Sequence, residues 1–352
     1  MVKLAQDDLE HILRHTRPFW EEVRGCRLFI TGGTGFFGCW MLESFLFINQ
    51  VLSLDAHATV LTRNSEAFLR KCPHLVGNVS LHLMRGDVRD LEVVDERYDL
   101  IIHAATEASA RQASEHPLEM FSTIMEGTRR TLEFARRCGA RKFLLASSGA
   151  VYGNQPPEIT HLREDYLGGP DCLDSNSVYA EGKRAAELMS ILYSKDFFVA
   201  KIARCFAFVG PHLPLDAHFA IGNFLRDAMQ GGPIIVGGDG TPRRSYLYAA
   251  DLAIWLWVIL FRGQPGLAYN VGSERAFSIG EVAHAVAEAI NPELKVVIMK
   301  TVDGKSALRQ YVPSTLLARE QLGLKEHFSL VDSIRRTATW HRLNEGELSR
   351  VS

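Results

Sequence analysis

Tyr179 and Lys183 stand four residues apart in Tyr179-Ala180-Glu181-Gly182-Lys183, and on a helix that spacing puts a phenol and an ammonium on one face. A phenol with an ordinary pKa of about 10 is a poor base near neutrality, and an adjacent cation is the simplest means of making it release its proton more readily. Such a pair can exchange a proton with a substrate hydroxyl. The same spacing also arises where a solvated lysine stacks on a half-buried tyrosine, so the pair acquires meaning only beside a cofactor loop and a second hydroxyl.

A cofactor loop is present. Gly32-Gly33-Thr34-Gly35-Phe36-Phe37-Gly38 lies between a strand pattern, Arg27 to Thr31, and an apolar helix pattern, Phe36 to Leu52. Glycines at 32, 35 and 38 permit a tight turn, close approach of backbone to a pyrophosphate and close packing of helix on strand, while the helix N-terminus offers free N–H groups to the anion. The end of the second strand reads Leu61-Thr62-Arg63-Asn64. A carboxylate there would accept hydrogen bonds from the ribose 2′-hydroxyl of NAD; none is present, and Arg63 can pair with a 2′-phosphate, so the expectation is NAD(P) with a slight tilt toward NADP. Asp87, in Gly86-Asp87-Val88, either meets the adenine amino group or is a solvated turn residue.

The elements that must position these groups follow from periodicity. Strands are predicted at Arg27 to Thr31, His57 to Arg63, Ser80 to Arg85, Tyr98 to His103 and Lys142 to Ser147, separated by helical stretches such as Pro117 to Cys138. Strands that alternate with helices and carry little polar alternation imply an α/β fold with a doubly wound parallel sheet covered on both faces. From about Gly210 the punctuation by Pro211, Pro214, Pro233 and Gly237-Gly238-Asp239-Gly240 marks a smaller C-terminal α/β lobe, with helices at His218 to Gln230, Ser278 to Ile290 and Ser329 to His341. The predicted plan is a helical extension (1–25), a dinucleotide-binding domain (26–210) and a substrate lobe (211–352), with about 250–272 returning to the first domain.

At 352 residues, 47% hydrophobic and 23% charged, the chain has ordinary globular composition, and its net charge of -2 gives no electrostatic reason to expect nucleic acid or an anionic membrane as partner. The six cysteines are scattered, with no Cys-x-x-Cys and no Cys/His cluster at zinc spacing, so neither a disulfide framework nor a metal is expected and a reducing cytoplasm fits. The most apolar run, Leu252 to Phe261, is about half the roughly 20 residues needed to cross a bilayer and reads as a buried helix.

Taken together, Thr31 to Gly38, Gly86-Asp87-Val88, His103-Ala104-Ala105, Ser147-Ser148-Gly149-Ala150-Val151-Tyr152-Gly153, Tyr179 to Lys183, Arg204 to Pro211, Gly238-Asp239-Gly240 with Arg244, Tyr248 and Asp251, and Tyr269-Asn270-Val271-Gly272 resemble the extended short-chain dehydrogenase/reductase family. Within it, the set is similar to the nucleotide-sugar epimerases and dehydratases, and the resemblance covers nearly the whole chain beyond the N-terminal helix. It implies a Rossmann fold in which Gly32, Thr34, Gly35, Phe36, Phe37, Gly38, Val88, Ala104 and Ala105, with Arg63 and Asp87, meet the dinucleotide. It also implies that Tyr179 exchanges the proton, that Lys183 lowers the Tyr179 pKa and holds the nicotinamide ribose, and that Ser148 orients the reacting sugar oxygen. Ser147 is the competing hydroxyl. Arg244, Arg309 and Asn223 would hold a nucleoside diphosphate; His218 reads as structural.

The chain also departs from that pattern. Dehydratases carry an Asp-Glu pair after the active-site hydroxyl and sugar-acid decarboxylases a glutamate, whereas Gly149-Ala150 stands here. Ala207 replaces a common asparagine and Ser245 a common aspartate; Glu107 is a remote alternative acid. The leading expectation is therefore an NAD(P)-dependent 4-epimerase. Its rivals are an NADPH-dependent 4-ketoreductase, a 4,6-dehydratase and a non-catalytic cofactor-sensing or scaffold protein. Relatives dimerise through helices that correspond to Pro117 to Cys138 and the Tyr-x-x-x-Lys helix, and Leu118, Phe121, Ile124 and Met125 are the residues that would supply such a face.

Overall fold

The computed structural model describes residues 2–92, 96–106, 110–195, 197–217, 219–301 and 309–351. Its centre is a seven-stranded sheet: β1 (Arg27–Thr31), β2 (His57–Thr62), β3 (Leu81–Arg85), β4 (Leu100–His103), β5 (Lys142–Ser148), β6 (Val199–Cys205) and β7 (Ala268–Val271). The spatial order is β7-β6-β5-β4-β1-β2-β3, and every neighbouring pair is parallel. Successive side chains of a strand point to opposite faces. Leu28 and Ile30 accordingly enter one core with Trp40, Phe45 and Trp257, while Phe29 enters the other with Tyr98, Phe134 and Phe143. Both faces are buried, which explains the unbroken apolar strands.

The chain leaves β1 toward β2 on one side and reaches β4 on the other, so the order reverses between β1 and β4. A crevice opens at the carboxyl ends of the strands at such a switch point. The glycine loop follows β1 at that point, and Ala104-Ala105 follows β4.

The helix Ala249–Arg262 is buried from Ala249 through Phe261 and packs against the sheet side of the molecule, followed by β7 at the sheet edge, as the sequence pattern predicts. It also receives the N-terminal helix Gln6–Thr16, whose buried Asp8 accepts hydrogen bonds from Tyr248 (2.7 Å) and Arg336 (2.9 Å). Among the described residues no helix is long and apolar enough to cross a membrane. The remaining C-terminal elements form a third core around Ile221, Phe224, Val282 and Ile334. Short strands replace the regular alternation there: Arg243–Arg244 lies between Phe277–Ser278 and Gln310–Tyr311. The helix predicted from His218 begins at Ala220, and His218 itself lies outside the described residues.

Candidate active site

The loop after β1 brings backbone against backbone. Gly32 has φ +73°, and a Cβ there would stand 2.5 Å from the carbonyl carbon and oxygen of Ala104; a Cβ on Gly38 would stand 2.2 Å from the Gly32 oxygen. The helix Phe36–Leu52 starts from Gly35 with no side-chain cap, so its first-turn N–H groups face the crevice without a side-chain partner. This cradle suits a pyrophosphate, which needs N–H donors and close backbone approach. Beneath it, His103 joins β4 to β1 through Thr31 (2.7 Å) and reaches Thr128 (3.1 Å), and the Ala105 N–H donates to Thr31 (3.3 Å). Burial, aided by the Lys183 charge, pushes His103 down to about 3, so the ring is a neutral spacer.

At the adenosine end the sequence expectation changes in detail. Asp87 caps the turn Val88–Asp90 and takes Arg89 in a two-pronged pair at 2.9 and 3.0 Å, which holds its carboxyl below the usual range. Arg63 is exposed at the end of β2, and its charge also acts on Asp87. Val88 is buried against Gly127 on the helix Pro117–Arg137. Lys71, which sequence reasoning missed, reaches the loop through the Thr34 carbonyl at 3.4 Å.

Tyr179 and Lys183 occupy the first turns of the helix Val178–Ser194 and face the end of β5. The Tyr179 hydroxyl lies close enough to Ser148 for that hydroxyl to favour its ionised form, and Ser148 also accepts from the Ala150 N–H at 3.1 Å. Lys183 donates to the Ala146 carbonyl at 2.8 Å, with its ammonium 5.9 Å from the Tyr179 ring centre. Burial disfavours both charged forms: it pushes Tyr179 up to about 12, partly offset by Ser148, and Lys183 down to about 8. In the free protein, burial therefore outweighs the expected lowering of Tyr179 by Lys183.

The two adjacent serines diverge, because neighbours on a strand face opposite ways. Ser147 donates to Glu187 at 2.5 Å, and Glu187 pairs with Arg204 at 2.8 Å. Arg204 continues to the Tyr152 hydroxyl (2.9 Å), which donates to Asn270 (2.7 Å). This network ties β5, β6 and β7 to the helix Val178–Ser194. Ser148, not Ser147, is the hydroxyl beside Tyr179.

A third hydroxyl comes from a residue that no sequence pattern singles out. Tyr311, on the two-residue strand Gln310–Tyr311, also comes near Ser148, and burial raises its phenol as well. Its ring packs on Phe206 at 4.6 Å, and the Arg244 guanidinium lies 5.7 Å from its centre. A Cβ on Gly149 would meet the Tyr311 hydroxyl at 2.6 Å and Phe206 at 2.7 Å. Position 149 has no room for a side chain.

Arg244 is thus brought beside Tyr311. Arg309 is exposed; its carbonyl accepts from the Arg243 N–H at 2.8 Å, which sets the strand that carries Tyr311. Asn223 is occupied by Arg226 at 3.2 Å. Neither Arg309 nor Asn223 has a hydrogen bond to the Ser148, Tyr179 and Lys183 group. Ser245, next to Arg244, is buried with its hydroxyl unpartnered. Glu107 lies outside the described residues.

The sequence profile of the NAD dependent epimerase/dehydratase family matches residues 28–272. The chain belongs to this family. As a family member it is an NAD-dependent type of enzyme that modifies nucleotide sugars. It is 31% identical over 326 residues to UDP-glucuronic acid decarboxylase 1 of Arabidopsis thaliana, covering 91% of this chain and 72% of that protein. UDP-glucuronic acid decarboxylase 3 of the same plant is 30% identical, with 88% and 86% covered. The fold of this epimerase/dehydratase family member is that of UDP-glucose 4-epimerase from Thermotoga maritima, with a TM-score of 0.75 at 19% identity over 91% of this chain and 99% of that one. An enzyme of Bordetella bronchiseptica solved with NAD+ and UDP superimposes with a TM-score of 0.74 at 18% identity, over 94% and 96% of the two chains.

Proposed function

We propose that the protein is an NAD(P)-dependent nucleotide-sugar epimerase that inverts a ring carbinol, at C4. The observation that carries this reading is position 149. By the resemblance, dehydratases carry an Asp-Glu pair directly after the active-site hydroxyl and sugar-acid decarboxylases a glutamate in the same short segment; here that segment is Gly149-Ala150, and Tyr311 and Phe206 fill the volume a side chain at 149 would need.

The remaining groups suffice for epimerisation. A bound nicotinamide supplies hydride acceptance and return. Tyr179 takes the proton of the sugar hydroxyl as the carbinol carbon is oxidised, and Ser148 holds the same oxygen. Tyr179 returns the proton when the carbon is reduced from its opposite face, so no net oxidation occurs. Arg244, with Arg309 and Asn223 around the lobe, offers the diphosphate its donors, and guanidinium is suited to two parallel bonds with phosphate oxygens. Arg63 favours NADP over NAD.

A screen of UDP, TDP, CDP and GDP sugars with each cofactor is expected to return the epimer of one of them with no net change in cofactor. Consumption of one NADPH per product makes the protein a ketoreductase instead. A 4-keto-6-deoxy product with solvent hydrogen at C5 or C6 makes it a dehydratase, and loss of carbon dioxide from a sugar acid a decarboxylase.

We also propose a homodimer. Leu118 (84% exposed) and Phe121 (39%) on the helix Pro117–Arg137, and Leu188 (61%) and Leu192 (54%) on the neighbouring catalytic helix, leave apolar area in water. Ile124, expected on that face, is instead a core residue packed on Gly182. Sedimentation at micromolar concentration is expected to give a dimer; a monomer alone rejects it.

A further inference from the structure

Three histidines far from the catalytic hydroxyls gather where the N-terminal helix meets the C-terminal segment. His11 and His15 stand one turn apart on Gln6–Thr16, and His327 precedes the last helix. Their ring centres are 4.3 Å apart for His11 and His15, 4.8 Å for His11 and His327, and 4.3 Å for His15 and His327. Each offers a nitrogen within 4.8 Å of the others.

The hydrogen bonds around them fix where the lone pairs are. The Nδ1 of His15 lies 2.9 Å from the His11 carbonyl oxygen, and the Nδ1 of His327 lies 2.8 Å from Asp251 Oδ1. A carbonyl and a carboxylate only accept, so both Nδ1 atoms carry the hydrogen, and in the neutral rings both Nε2 atoms keep a bare lone pair. His11 Nε2 is buried without a hydrogen-bond partner, 3.6 Å from the same Asp251 oxygen. Asp251 is fully buried and also accepts from the His327 N–H at 2.8 Å. Metal-binding imidazoles are held in this manner, with the far nitrogen donating to a carboxylate or a main-chain carbonyl. Stacked neutral rings held only by packing would leave those tautomers unspecified.

We propose that His11, His15 and His327 form a binding site for a zinc-class divalent cation, with Asp251 orienting His327, the His11 carbonyl orienting His15, and water in the fourth position. Zinc–nitrogen bonds of about 2.0–2.1 Å would draw the three nitrogens to roughly 3.4 Å from one another. His327 is exposed and opens the site to solvent. The cation would fasten the N-terminal helix to the body, beside the existing Asp8 contacts with Tyr248 and Arg336. None of these residues enters the proposed proton transfer.

Cobalt(II) is the probe, added to the full chain after treatment with chelator. The expected result is one cobalt per chain with visible d–d bands, no thiolate charge-transfer band, and displacement by zinc. His327→Ala and His15→Gln are each expected to weaken binding at least tenfold. Zinc at a hundred times its Kd is expected to favour the folded state by about a hundredfold, read as a higher Tm, and the rise is expected to be smaller in both variants. Absence of binding overturns the proposal, as does undiminished binding in both variants. A thiolate band overturns it too, because it would place the metal at the buried Cys39, Cys72 and His212 group. The wild-type spectrum distinguishes these outcomes even if a variant does not fold.

Discussion

Tyr179→Phe is expected to lower kcat by about 10²- to 10⁴-fold, roughly 3–5 kcal/mol of barrier, because it removes the one phenol that shares both Ser148 and the Lys183 face of the helix. The fold should survive, since the ring remains and keeps its packing against the second core. Cofactor binding, followed by quenching of protein fluorescence, should be close to that of the wild type. The pH profile provides a second readout. Burial holds the Tyr179 phenol at about 12, so only a small fraction is ionised near neutrality, and that fraction grows tenfold per pH unit below the pKa. The oxidation half-reaction of the free enzyme should therefore accelerate as pH rises from 6 to 9, and the variant should lose that slope. Tyr311 supplies the internal control. If Tyr179→Phe keeps its activity while Tyr311→Phe loses it, the proton passes through the other phenol and the assignment is wrong.

Gly38→Ala should be the most damaging change in the cofactor loop. The added carbon would sit 2.2 Å from the Gly32 oxygen and 2.3 Å from the Gly33 Cα, and both obstacles are backbone. No flexible side-chain end can move aside, so the helix start must shift away from the loop. Overpacking of this kind costs about 1–3 kcal/mol in stability, and here it also displaces the N–H groups that would meet the pyrophosphate. Dinucleotide affinity is expected to fall by more than the Tm change alone accounts for. Gly35→Ala is the comparison, because its Cβ would meet only the Gly32 oxygen at 3.4 Å and φ at Gly35 is -86°. Comparable cofactor affinity in Gly38→Ala and the wild type would refute the cradle.

The same contrast shows how far linear reading reaches. In the sequence the loop glycines are equivalent punctuation; the structure separates Gly38, locked between backbone atoms, from Gly35, which has room. Strand positions were legible because both faces of the central strands are buried and their runs are mostly apolar, while the edge strand β3 is part-exposed; β3 and β4 begin at Leu81 and Leu100, one and two residues inside the predicted limits. Arg63, Arg244 and Arg309 were equally visible as cations. Only Arg244 reaches the Tyr311 ring, since strand pairing across the substrate lobe decides which arginine turns inward.

Two kinds of feature were determined by the sequence itself: the glycine turn that opens a helix, and the tyrosine and lysine one helical turn apart. Each is local, with geometry set by φ/ψ preference and a helical repeat that a short stretch of chain carries within it. The tertiary structure alone decided the rest. Ser148 faces Tyr179 while Ser147 is taken by Glu187, Tyr311 closes position 149, and His327 joins His11 and His15. These depend on the register between segments distant in the chain. Side-chain direction at such meetings follows from packing and strand pairing, which no local pattern encodes.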